Sequence, residues 1–464
     1  MAIFSSLAGF FNRNKKKILI TSAFGISVYL LINEFIIKKI RYYQNTLKQE
    51  WLFKQQIKQR FIQTQQDCYY TLLALLPVLS KDVIEALPVE LITQALRLKK
   101  TGTTEVKNNN ATTDELTTDN LNLLDNNNNP KSNLSVYLSK SKIELWNLLK
   151  IKTLTRTLTL IYSISGLLLI TRLQLNILAR RSYLESAIQM AGVKQPINND
   201  FIDPHENYII EQSYLSLSWW VLNKGWINLN QLIETLVIKK FEKINPKTEL
   251  TILEFENILT DIINELNINN KEYILTNLFP INYPDLLETI INTNPDLIQQ
   301  LETQQNDSNI MKLINETNSI MLDSNLFFFD LFNNLIFTNL NILINQLVNS
   351  MGSNNLSLLM SSGDLKETES KIVEIPNKSF KLASYLAQLS IQNNIMIDNN
   401  DQTITEEYPK SNEVDEIENL IQNLNNGGIN NEEQDEFKGN IYINTLNELE
   451  DLDEFSAGIY SNFE

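Results

Sequence analysis

Glycine, proline, cysteine and histidine are all scarce in this chain. Its 464 residues include 12 Gly, 11 Pro, one Cys and one His. Glycine and proline together make up about 5% of the residues, against about 12% in average usage. Sandwiches and barrels need turn residues every 8–12 positions or so, and this composition does not supply them. Phosphate-cradling loops are excluded as well, since neither G-x-G-x-x-G nor G-x-x-x-x-G-K-[ST] occurs. One cysteine forms no internal disulfide, and one Cys with one His cannot build a standard structural zinc site. Cys68 and His205 are the sole candidates for a nucleophile–base pair of that kind, and Cys68 lies within an amphipathic helical pattern, which argues against the pairing. What the composition does support is an all-α protein, helices joined by polar loops.

Charge is unevenly spread. The formal net charge is −16, yet residues 1–60 hold eleven Lys/Arg and two acids, so a +9 head precedes a body of −25. A basic head suits anionic lipid, whereas the acidic body repels nucleic-acid phosphate.

Residues Ile18–Ile37, ILITSAFGISVYLLINEFII, are the best candidate for a membrane span. Twenty helical residues cover about 30 Å, the thickness of a hydrocarbon core. Lys15, Lys16 and Lys17 precede the span and Lys38 and Lys39 follow it; Asn33 and Glu34 lie near one end. A cleaved signal is the alternative, but no small-x-small cleavage site follows the apolar run; a soluble or interfacial helix is another. Four Lys/Arg lie in residues 1–17 and seven in 38–60, which orients the C-terminal side toward the cytosol. The expected organisation is therefore a luminal basic segment (1–17), an anchor (18–37) and a cytosolic helical body (38–464).

Within the body, Ile57, Phe61, Cys68, Leu72, Leu75 and Leu79 follow helical spacing, with a bend expected near Pro77 and a turn at Ser80–Val83. Pro88 then introduces a helix over Val89–Leu98. Asn tracts mark residues 101–134 as an insertion expected to be disordered. Thr157–Thr171 is apolar nearly all round but too short to cross a bilayer, which makes it the centre of a bundle, packed by Tyr214–Leu222 and Leu326–Val348. Residues 393–440 form a second linker, with eleven acids against two bases in 401–440, and Ile441–Phe463 returns to helical spacing. No acid–base pair stands out, and Asp398–Asp401 lacks the Gly and terminal Glu of an EF-hand loop.

Several blocks resemble the peroxin-3 family. Ile57–Asp67 with Leu75-Leu-Pro77 is similar to the start of its cytosolic domain, as are Lys142-Ile-Glu-Leu-Trp146 and Leu149-Lys-Ile151. Thr171-Arg-Leu-Gln-Leu-Asn-Ile-Leu178 is the most specific match. Tyr214–Gly225 resembles fungal members, and Lys381–Leu389 and Asp453–Tyr460 match weaker C-terminal blocks. The insertions at 101–134 and 393–440 depart from the family pattern.

The resemblance implies an elongated cytosolic helical bundle on one peroxisomal membrane anchor, with neither catalysis nor cofactor. It also implies a docking receptor for peroxin-19, the chaperone of peroxisomal membrane proteins, whose amphipathic helix would lie in an apolar groove. In the family that groove centres on the Trp of a K-x-x-x-W-x-x-L segment, which carries over to Lys142, Trp146 and Leu149, with Leu96 and Arg97 on the preceding helix. Positions i, i+4 and i+7 share one helical face, although spacing alone favours a core position for Trp146. A tether recruiting inheritance or pexophagy factors is the other function the resemblance suggests. An unfamiliar membrane enzyme and a grooveless scaffold are the competing classes.

Overall fold

The computed structural model describes residues 38–101, 130–190, 204–298, 309–323, 327–360, 378–398 and 440–462. The expected luminal segment with Lys15, Lys16 and Lys17, the anchor at 18–37, and most of the two insertions (102–129 and 399–439) lie outside those residues. The chain divides into two units, Met1–Gln65 and Gln66–Glu464. The first unit contains the opening of helix α1 (Lys38–Ala86), where Lys39, Leu47, Trp51, Leu52 and Phe53 are exposed.

In the second unit α1 is followed by α2 (Val89–Thr101), α3 (Pro130–Leu138), α4 (Lys142–Met190) and α5 (Pro204–Leu215). A 3₁₀ turn (Ser216–Ser218) and a π turn (Val221–Gly225) lead into α6 (Trp226–Phe241). Then come α7 (Ile252–Asn269), α8 (Lys271–Leu278), α9 (Tyr283–Thr293), α10 (Asn309–Leu322), α11 (Phe328–Met360), α12 (Leu382–Met396), α13 (Ile441–Asn447) and α14 (Glu450–Ser461). Strands β1 (Glu249–Thr251) and β2 (Ser379–Lys381) pair antiparallel, Glu249 opposite Lys381. This three-residue ladder is the one departure from all-α among the described residues.

Helix α4 is the axis of the core. Its 49 residues span about 74 Å, and every residue from Thr153 to Gln174 is buried. It packs against α2, α6, α11, α12 and α14. Length and composition alone would let α4 pass for a membrane span, but 94% of its most apolar window is buried inside the protein. Several polar residues on its faces meet protein partners. Thr159 Oγ1 donates to Asn230 at 3.2 Å, the Tyr162 hydroxyl to Asn267 at 2.7 Å, and Gln174 Nε2 to the Tyr214 carbonyl at 2.6 Å. Each fully buried Leu or Ile here contributes roughly 1.5–3 kcal/mol relative to exposure. The central position expected for Thr157–Thr171 therefore holds, with residues of the 214–222 stretch and of α11 packed against it.

Other expectations change. The turn at Ser80–Val83 is absent: α1 continues through Pro77 to Ala86. Leu72, Leu76, Leu79 and Val83 are wholly buried along that stretch, and their burial outweighs the hydrogen bond that a proline removes from a helix. Ser80 Oγ donates to the Pro77 carbonyl at 3.1 Å. Helix α3 takes in residues 130–134, expected to be insertion. Asn393–Met396, expected to be linker, is the last turn of α12, with Asn393 and Met396 buried. The C-terminal apolar pattern folds as two helices, α13 and α14. Arg172 of α4 holds them, its guanidinium donating to Asn447 Oδ1 at 2.7 Å and to Asp453 Oδ1 at 3.1 Å.

Candidate functional site

A small core separate from the main one forms where α2, α3 and the start of α4 meet. Val89, Ile92, Ala95, Leu96, Leu145 and Leu149 are buried in it, and Leu134, Tyr137 and Trp146 pack against its edge. The local sequence dictates how α4 begins. Ser141-Lys-Ile-Glu144 is a capping box: the Ser141 N–H donates to Glu144 Oε2 at 2.8 Å and the Glu144 N–H to Ser141 Oγ at 3.2 Å. The Ser141 N–H, and after it the Ser141 hydroxyl, hold the Glu144 carboxyl below its ordinary value. With the start of α4 set, Lys142, Trp146 and Leu149 fall on one face. Helix α2 is held against α4 by the ion pair of Glu90 with buried Arg156, 2.6 Å apart, and against the turn before α4 by Lys99 Nζ donating to the Lys140 carbonyl.

Between these helices lies a groove of about 940 Å³. Leu96, Arg97, Lys142, Trp146 and Leu149, the five expected residues, all line it. Leu96 and Leu149 are buried, Trp146 is half-buried, and Lys142 and Arg97 are exposed. Trp146 thus packs one side on the small core and lines the groove with the other. Ile143, also in the wall, is 76% exposed, an unusual exposure for an apolar side chain beside an apolar cleft.

The far wall was not legible in the sequence. Asn245, Pro246 and Lys247 come from the turn after α6, and Lys381 and Ala383 from the β2–α12 junction. These two segments are tied together: the Ala383 N–H donates to the Pro246 carbonyl at 3.0 Å and the Leu382 N–H to the Thr248 carbonyl at 2.9 Å. Arg97, Lys142, Lys247 and Lys381 ring the groove, and none of its lining residues is a carboxylate. The only advance signal for the far wall was the weak family block at Lys381–Leu389.

Catalytic candidates do not assemble at this site. Cys68 is buried against the Thr171 carbonyl, and burial pushes its thiol up to about 12. Among the described residues no group of three His, Cys, Asp or Glu is placed to hold a metal ion.

Fold and site define a helical bundle bearing an apolar groove with a basic rim. The sequence profile of the family described as Peroxin-3 matches residues 9–462. The chain belongs to the peroxin-3 family. It is 50% identical, over the full length of both chains, to Peroxisomal biogenesis factor 3 of Debaryomyces hansenii. It is 43% identical over 267 residues to Peroxisomal membrane protein PEX3 of Komagataella phaffii, covering 54% of this chain and 57% of the relative. With Peroxisomal biogenesis factor 3 of Saccharomyces cerevisiae it shares 34% identity over 290 residues, 55% of this chain and 60% of the relative. The protein is accordingly a peroxisomal membrane protein with a role in peroxisome biogenesis.

Proposed function

We propose that the protein is the docking receptor for peroxin-19 and takes an amphipathic helix of that chaperone into the groove at Trp146. The observation that carries this reading is the convergence of Leu96, Arg97, Lys142, Trp146 and Leu149 in one wall of an apolar, basic-rimmed groove. A helix laid in such a groove buries its apolar stripe against Leu96, Trp146 and Leu149, and a tryptophan with aliphatic neighbours is a typical hot spot. Lys142 and Arg97 meet carboxylates flanking that stripe. The anchor at 18–37 keeps the bundle at the peroxisomal membrane on the cytosolic side, where released cargo can enter the lipid. The protein's part is binding, with no catalysis and no cofactor.

The test is calorimetric titration of full-length protein in detergent with peroxin-19, wild type against Trp146→Ala. The substitution is expected to weaken binding by roughly 2–4 kcal/mol while thermal unfolding of the bundle is retained. Equal affinity of both would sink the site, and no binding by either would sink the function. Collapse of the fold in the variant would return Trp146 to the core.

A further inference from the structure

Helices α13 and α14 are fastened to the bundle very differently. In α13, Tyr442, Ile443 and Leu446 are wholly buried. Asn440 caps its start, accepting from the Tyr442 N–H at 3.1 Å and the Ile443 N–H at 3.4 Å. The same side chain donates through Nδ2 to the carbonyls of Met396 at 2.8 Å and Asp398 at 2.9 Å. The Tyr442 hydroxyl donates to Gln392 at 2.7 Å, and the Tyr69 hydroxyl to Asn444 Oδ1 at 2.8 Å.

Helix α14 is weak by its own sequence. It has 12 residues, and Leu449 at its N-cap supplies no side-chain hydrogen bond. A helix that short depends on packing for its stability. Gly458 lies within it, with no heavy atom within 4 Å of where a Cβ would stand. Packing therefore does not require glycine there, and its backbone freedom opposes the helix. Leu452, Ser456, Ile459 and Tyr460 face the body, and Arg180 donates to the Ile459 carbonyl at 3.2 Å. Two further ties end on carboxylates open to solvent. Asp453, its side chain 54% exposed, lies 3.1 Å from Arg172, and exposed Asp451 accepts from Asn334 Nδ2 at 2.6 Å. Exposed charges of this kind hold weakly and are screened by salt.

Arg172, by contrast, is buried at a cost. Burial lowers its pKa from the ordinary value, and Asp453 offsets part of that. A buried charge whose desolvation offsets its attraction adds little net stability. Withdrawal of α14 returns water to the guanidinium, while Asn447 Oδ1 of α13, at 2.7 Å, remains its partner. Glu448 and Leu449 separate the two helices and supply the hinge.

We infer that α14 is a releasable strap. It leaves the body as a unit about Glu448 and Leu449 while α13 and the rest of the bundle stay folded. Its release uncovers Arg172, Arg180 and the side of Phe328 on which Phe455 packs. Local opening is drawn from elements with few buried apolar contacts, and α14 is such an element.

Thiol labelling of the full-length protein in detergent tests this. Ser456→Cys places a thiol on the buried face of α14, and native Cys68, equally buried, is the internal reference. Excess maleimide is added, and modification at each position is followed by peptide mass spectrometry. Position 456 is expected to react at least about tenfold faster than Cys68. Asp453→Asn should raise the rate at 456 about twofold to fivefold, and Gly458→Ala should lower it about fourfold, with Cys68 unchanged in both. Equal rates at the two positions overturn the proposal, because α14 then opens only with the bundle. A rate at 456 that neither substitution moves also overturns it, in favour of simple fraying. Hydrogen exchange on the unaltered protein guards against loosening by Ser456→Cys itself. Amides of residues 452–460 should lose protection together and well before those of 443–447, and a common rate for both helices refutes the strap. No partner enters either measurement, so the outcome is separate from the peroxin-19 titration.

Discussion

Lys150 of α4 reaches across to the end of α6, where its ammonium donates to the Phe241 carbonyl at 2.7 Å and to the Ile244 carbonyl at 2.8 Å. Helix C-termini leave carbonyls without intrahelical donors, and here a buried lysine supplies them. Burial lowers the Lys150 pKa from its ordinary value. The turn it grips continues into Asn245, Pro246 and Lys247 of the groove. Lys150→Met is expected to cost roughly 1.5–3 kcal/mol, the range for hydrogen bonds to a charged group. Urea unfolding measures that loss. Partner affinity should fall as well, because the far wall loses its hold, and Lys150→Arg should recover part of both.

The basic rim should govern the rate of encounter more than the residence time. Lys142 and Lys381 are exposed, so reversing them leaves the core untouched. Lys142→Glu with Lys381→Glu is expected to lower the association rate about tenfold at low salt, within the range that electrostatic steering provides. Association by the wild type should slow as salt rises and the charges are screened. Stopped-flow rates at several ionic strengths check this; an unchanged salt slope in the variant contradicts it.

Gly225 closes the π turn, where α8 passes so close that an added methyl group would collide with the Asn277 backbone carbonyl. At Gly166 the corresponding clash is with the end of the Leu278 side chain, which can rotate. Overpacking typically costs 1–3 kcal/mol and more where backbone must shift. Gly225→Ala is therefore expected to destabilise by about 3 kcal/mol or more, and Gly166→Ala by less. Chemical denaturation of the pair gives the order, and the reverse order would show that α8 can move away.

The capping box that starts α4 makes a pH prediction. The Glu144 carboxyl is held below its ordinary value of 4.5, chiefly by the Ser141 N–H and then by the Ser141 hydroxyl. A carboxyl with a depressed folded-state pKa contributes stability that is complete above its unfolded value and is lost as pH falls through the folded one. The stability difference between wild type and Glu144→Gln should therefore be full at pH 7 and fade below about pH 4.5. Ser141→Ala should cost about 1 kcal/mol at neutral pH.

Legibility in the sequence followed the range of the interaction. The face shared by Lys142, Trp146 and Leu149 depends on residues within two helical turns, and it was readable from spacing before any contact was known. The box at Ser141–Glu144 is equally local. Pro77 misled because a proline and the polar Ser80-Lys-Asp that follows look like a helix end; the buried Leu76, Leu79 and Val83 carry the helix through. Lys247 had no local signal and Lys381 only its place in a weak family block; both are brought to the groove by the β1–β2 ladder and the Ala383–Pro246 hydrogen bond.

By itself the sequence determined the helical class, through the shortage of turn residues, and the burial of Thr157–Thr171, through an apolar pattern with no polar face and too little length for a bilayer. It also settled which face of α4 carries the tryptophan, since 3.6 residues per turn leaves no freedom there. Whether that face ended in the core or at a groove was beyond it. Only the tertiary structure left Trp146 half-buried, by bringing the turn after α6 and the start of α12 opposite it without filling the space between. Periodicity reports which side of a helix is apolar; what lies across from that side is decided by segments a hundred or more residues away, whose packing leaves no trace in local spacing.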